Sequence, residues 1–224
     1  MERIRALRTQ GRSPKQIARA VGLPPAAVTP LIRALAAEES PEGGTVVGCW
    51  ISPGWSIGLT VPPEGDWPDV DLDERGTDGL VLVLIARHDR RSRVRVVGYL
   101  VDVYCLGVKD VLDPRVMDPH ALPAFLRDYF SAYAAPPLAV PLELAQHLIF
   151  GAVAYARSLG FEPAPGFEVV RDHLGSWTGP SALGFGNHGK PFYVQGPNDN
   201  PRAVIKTLEH SVGPGNFDFL LVTG

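Results

Sequence analysis

The chain has 224 residues, 45% hydrophobic and 20% charged, with 21 Lys+Arg against 24 Asp+Glu. This excludes a disordered chain, a collagen-like repeat and a coiled coil, and leaves ample length for a hydrophobic core. Two cysteines, Cys49 and Cys105, cannot make a disulfide framework, so a cytoplasmic protein is expected. The first residues include Arg3, Arg5, Arg8 and Arg12 and no apolar secretory segment. The longest apolar runs, 80–86 and 148–156, are too short to span a bilayer, so no membrane partner is expected.

Charge is segregated. Residues 1–37 hold Arg3, Arg5, Arg8, Arg12, Lys15, Arg19 and Arg33 against Glu2 alone, which leaves the remainder strongly acidic. A basic segment on an acidic chain points to a polyanionic partner.

Ile4 and Leu7 predict a short first helix over 2–10, ended by Gly11. Ser13 then supplies an N-cap, Pro14 the first helical position and Gln16 the capping-box partner. The second helix runs to Val21, with Gly22 just past its end. A third begins at Pro24 and Pro25 and continues through Leu35. Counted from Pro14, Ile17 and Val21 fall at apolar anchor positions, Ala18 where two helices touch, and Gly22 at the sharp turn. Val28 and Leu31 fall where a following helix packs back. In these spacings residues 13–35 resemble the bacterial helix-turn-helix DNA-binding motif.

The resemblance implies a third helix lying in the major groove. The exposed positions there are Ala26, Ala27, Thr29 and Pro30, of which Thr29 alone can hydrogen-bond a base. Phosphate contacts are therefore expected from Arg5, Arg8, Arg12, Lys15, Arg19 and Arg33, giving duplex-DNA affinity with weak sequence selectivity. A protein-interaction module is the alternative. The polar, breaker-rich stretch 38–45 reads as a linker, separating a helix-turn-helix domain (1–37) from a larger domain (46–224).

The larger domain predicts as α+β, a mixed, mainly antiparallel sheet with flanking helices. Residues 46–52 and 55–61 are strand candidates joined by a turn at Pro53 and Gly54. Residues 62–79 form an acidic loop expected to be solvated. Its Asp69, Asp71 and Asp73 do not make a calcium loop, because Glu74 and Leu80 stand where Gly and Glu are required. The run 80–86 predicts a central strand covered on both faces. With 94–105 it forms a hairpin whose tip carries Arg87, Arg90, Arg91, Arg93 and Arg95. Helices follow over 119–133 and 141–159, the second closed by Gly160. A strand over 192–195, a helix over 201–211 and a strand over 217–222 complete the domain.

The block from Gly98 to Asp110, with Ala145, Gln146 and His147, Gly151, Gly160 and Phe161, looks like a family of uncharacterised bacterial proteins. The likeness extends to Gly189, Lys190, Pro191, Phe192 and Tyr193, and implies a grouping without a mechanism. This domain is expected to sense, recruit or dimerise, with a homodimer as one form.

Its chemistry narrows to Cys105, His147 and Asp102. A cysteine-dependent hydrolase or transferase would pair Cys105 with His147, which lies on an apolar helical stripe able to approach the end of strand 94–105. Strand alternation buries Cys105 with Val97, Tyr99, Val101 and Val103, which disfavours the thiolate. Asp102, on the opposite face beside Leu100 and Tyr104, needs Lys109, Arg157, a backbone turn or a tyrosine hydroxyl to satisfy it. Lys109 and Asp110 are expected in a turn. Gly184, Gly189 and Lys190 match a phosphate-loop spacing, but Pro191 replaces the metal-binding hydroxyl and a strand follows. The six histidines lack ligand spacing, so no metal and no cofactor are expected.

Overall fold

The structure is a computed structural model that describes residues 14–24, 44–63, 65–70 and 78–221. The chain divides into two compact units, Met1–Gly44 and Thr45–Gly224.

In the first unit, α1 spans Pro14–Val21. Proline suits its start because the first-turn amide has no partner inside a helix. Ile17 and Ala18 are buried, whereas Arg19 and Ala20 are exposed. The helix stops at Gly22, whose φ of +69° is open to glycine at little cost. Leu23 then donates its amide to Ala18 O at 3.1 Å, the backward bond of a Schellman stop. The expected helix over 2–10 and the third helix beyond Pro24 lie outside the described residues.

The second unit is α+β. Its main sheet comprises β1 (Val46–Ile51), β2 (Leu80–His88), β3 (Val94–Asp102), β4 (Gly107–Met117) and β5 (Leu138–Val140). The strands lie in the order β4-β3-β2-β1-β5, every neighbouring pair antiparallel. The helices are α2 (Leu122–Tyr129), α3 (Leu142–Ser158), the one-turn α4 (Phe167–Val170) and α5 (Pro201–Ser211). A separate parallel pair joins β6 (Phe192–Val194) to β7 (Asp218–Leu220). Among the described residues, no helix is long and apolar enough to cross a membrane.

β2 alternates between two cores. Val81, Val83 and Ile85 enter the larger one with Tyr99 and Val101 of β3 and Leu144, Leu148 and Ile149 of α3. Leu84 and Ala86 enter a smaller one with Val94, Val96, Leu122 of α2 and Phe130. The central strand is thus covered on both faces, as a continuous apolar run requires. α3 is apolar over most of its circumference and is buried accordingly. It ends like α1: Gly160 takes φ +91° and Phe161 donates to Ala156 O at 2.9 Å.

Several expectations are corrected. Residues 55–58 form turns and Thr60 makes an isolated bridge to Gly184, so 55–61 is not a strand. The Asp69 carboxylate accepts the amides of Gly54 and Ser56, and the Trp55 indole donates to Pro68 O at 2.9 Å. Those donors are therefore lost to a ladder, and Asp69 staples the turn where a solvated side chain was expected. β3 ends at Asp102, before Cys105. Lys109 and Asp110 lie in β4, not in a turn. That strand has irregular register against β3 and carries Asp113, Pro114 and Arg115, which obscure its period. Such residues are tolerated because β4 is an edge. Arg87, expected at the hairpin tip, is buried. Residues 130–133 fall outside α2, whose helix is shorter than the expected 119–133.

Candidate functional site

In the first unit, Arg19 stands exposed in the last turn of α1, and Lys15 is the second residue of that helix. Arg5, Arg8, Arg12, Thr29 and Arg33 lie outside the described residues. The buried Ile17 and Ala18 define one side of the helix, and Arg19 follows directly on the solvent side.

In the second unit, chemistry converges on the turn between β3 and β4. Asp102 closes the ladder opposite Gly107, and its Oδ1 accepts the amides of Tyr104 and Cys105, each at 2.9 Å. Of the partners considered from sequence, a backbone turn satisfies this carboxylate. It is buried, and burial raises its pKa to about 6 against the pull of those amides and of Lys109. The turn is also a junction. Val103 donates to Gly79 O at 2.9 Å, Gly186 donates to Val103 O at 3.0 Å, and the Tyr104 hydroxyl donates to Ile57 O at 2.8 Å.

Just beyond, Lys109 Nζ bonds Asp199 Oδ2 at 2.8 Å, both side chains 15% exposed. The same oxygen accepts Gly196 N and the Tyr193 hydroxyl. The Asp199 carboxyl is held low: Lys109 and the Gly196 amide outweigh the opposing effect of burial. Sequence reasoning named Lys109 only as a partner for Asp102. Nothing local marks Asp199, because the pair is separated by 90 residues.

The structure does not bring Cys105 and His147 together. Cys105 is fully buried with Leu159, Tyr193, Leu208 and Phe217, a third core cluster that also touches Tyr155. Burial pushes its thiol well up, and the Asp102 charge adds to this. His147 sits two turns and more before Tyr155 on α3, roughly 12 Å along the axis. Its ring lies between Trp67 and Trp177, with centroids at 5.2 and 4.9 Å. Its Nδ1 accepts the Ala182 amide at 3.0 Å, and Nε2 is 3.8 Å from Glu143. A fully buried thiol without a base is a poor nucleophile.

Two features were invisible in sequence. Arg87 is buried and donates Nε to His173 O at 2.7 Å, while His173 Nε2 lies 3.1 Å from Ile85 O. Burial brings the His173 pKa down to about 4, helped by the charges of Arg87 and Arg95. Among the described residues, the Tyr155 hydroxyl is a buried polar atom without a hydrogen-bond partner. It points at Gly186, where a Cβ would come within 2.7 Å of it. The segment 184–190 carries Gly186, His188 and Gly189 at positive φ, with Asn187 bridged to Lys190. This is a tight hairpin, without the following helix that a phosphate loop needs.

A cavity of about 190 Å³ lies between Trp55, Gly79, Tyr104 and Tyr133, below the size that usual ligand pockets have. A shallower groove of about 350 Å³ runs beside β4, lined by Leu82, Leu100, Asp110, Asp113, Arg115 and Tyr129. Among the described residues, no cluster of His, Cys, Asp or Glu is arranged to hold a metal ion. Comparison with known proteins finds no family model, no curated protein and no solved structure that matches this chain.

Proposed function

We propose that this protein is a cytoplasmic nucleic-acid-binding protein that contacts duplex DNA through its first unit, the second unit serving to sense, recruit or dimerise. The reading rests on α1: a proline-started helix that buries Ile17 and Ala18, exposes Arg19 and stops at a left-handed Gly22. That is the helix and the turn that the helix-turn-helix resemblance requires, in a segment with seven basic residues and one acid. Arg5, Arg8, Arg12, Lys15, Arg19 and Arg33 bind phosphates, and Thr29 meets a base edge. Enzymatic chemistry at Cys105 finds no support in the separation of its thiol from His147.

Fluorescence anisotropy with a labelled random-sequence duplex tests the reading. With about four to six phosphate contacts, raising salt from 50 to 200 mM weakens binding roughly a hundredfold to a thousandfold. Changing Arg5, Arg8 and Lys15 together to Ala removes most of the affinity. Absence of duplex binding at 50 mM salt would overturn the proposal in favour of a protein-interaction module.

A further inference from the structure

The β2–β3 hairpin ends in a cationic tip. Arg90, Arg91 and Arg93 are exposed, and Arg95 follows on β3. The one acid of the tip, Asp89, is already engaged: its Oδ1 accepts the Arg90 amide at 2.8 Å and its Oδ2 lies 3.3 Å from Arg95 Nη2. Arg93 Nη2 donates to Val116 O at 3.2 Å. Among the described residues, the guanidinium groups of Arg90 and Arg91 have neither an ion pair nor a hydrogen bond. They project from a nine-pair antiparallel ladder, a stiff support.

The backbone adds an independent observation. Arg91 and Ser92 have φ of 58° and 56°, and Arg93 N–H closes the turn onto Arg90 O at 3.3 Å. Two successive positive φ values are the signature of a type I′ turn, where Asn and Gly are the natural residues. An arginine there is strained, and among the described residues its side chain makes no hydrogen bond or ion pair that would offset the strain. Strain held at an exposed cationic tip marks a place where the side chain acts outside the fold.

We infer that this tip is a second phosphate-binding element, contacting the backbone of duplex nucleic acid through Arg90, Arg91 and Arg93. Guanidinium forks match phosphate oxygens in geometry as well as charge. The tip sequence, His88 to Arg93, carries no apolar side chain to insert into a bilayer, which favours nucleic acid over a lipid surface. The inference rests on the proposed nucleic-acid function but on different residues, in the other unit of the chain.

The test measures duplex-DNA anisotropy of the full chain at several salt concentrations, for three variants beside the parent. Arg90→Ala with Arg91→Ala should weaken binding and flatten the salt slope by roughly two, with unchanged circular dichroism. Arg91→Asn with Ser92→Gly should flatten it by about one while raising the main melting temperature by roughly 3–8 °C, because strain is relieved. Arg5→Ala, Arg8→Ala and Lys15→Ala together report on the first unit separately. If that triple variant binds like the parent and the tip variants do not, the tip stands and the first-unit reading falls. Tip variants with parental affinity and slope, beside a weakened triple variant, overturn the tip. No binding of the parent to DNA overturns both, and tip-dependent binding to phosphatidylserine vesicles in that case assigns the tip to membranes.

Discussion

Asp102 and His173 are buried groups whose proton equilibria move in opposite directions over the same pH window. Asp102, raised to about 6, favours the folded state when protonated. Its contribution is full below its ordinary value of 3.8 and is lost as pH rises through 6. His173, lowered to about 4, favours the folded state when neutral, so its contribution is present above 6.5 and is lost as pH falls through 4. The two largely cancel, and stability should be nearly flat from pH 4 to 6.5 as far as these groups decide it. Asp102→Asn keeps an oxygen for the Tyr104 and Cys105 amides while removing the charge. Its stability relative to the parent, measured by urea unfolding, should rise by about 2 kcal/mol between pH 4 and pH 7. Asp102→Ala leaves both amides unmet and should cost about 1–3 kcal/mol even at pH 4. A pH-independent difference for Asp102→Asn would show that the carboxyl titrates normally.

At the level of elements, one close junction is where β4 starts under α3. Gly107 has φ +70°, and a Cβ there would come within 2.8 Å of Ala156 Cβ and 3.0 Å of Ala152 O. Gly189 has φ +81° with open space around it. Gly107→Ala should therefore cost about 2–4 kcal/mol, combining backbone strain with overpacking. Gly189→Ala should cost about 1 kcal/mol, from strain alone. Equal losses in thermal or chemical unfolding would mean that α3 moves aside freely. The difference between the two is not readable from spacing, since it depends on what packs above Gly107. What was readable follows one rule. β2, α3 and α5 have caps, glycine stops or an unbroken apolar run within their own residues, and they lie where sequence places them. β4 and β5 are held by neighbours: one carries edge-strand polarity, the other is three residues long. Residues 55–61 look like a strand until Asp69, more than a dozen positions away, takes the amides of Gly54 and Ser56. The candidate site divides in the same way. Asp102 stands out in sequence as a carboxylate in an apolar strand, whereas Arg87 with His173 and Lys109 with Asp199 join residues far apart.

For the whole molecule, the segregation of charge is legible from composition, and the division into units after Gly44 follows the breaker-rich stretch near that point. The strand order of the second unit also carries a history. β2, β3 and β4 are joined by short turns and neighbour one another in the sheet, so they can pair early. β1 must close a longer loop to reach β2, and β5 adds to the far edge of β1 from residues 138–140. Assembly should thus spread outward from the β2–β3 hairpin, with β5 docking last. In stopped-flow refolding, Val83→Ala and Val97→Ala should chiefly slow folding, whereas Leu138→Ala should chiefly hasten unfolding. The reverse pattern would place the nucleus at the β1–β5 edge. In that sequence of events the three-residue β5 acts as a latch: until it seats, β1 offers an unpaired edge to other chains, and aggregation during refolding should rise most in variants that weaken residues 138–140.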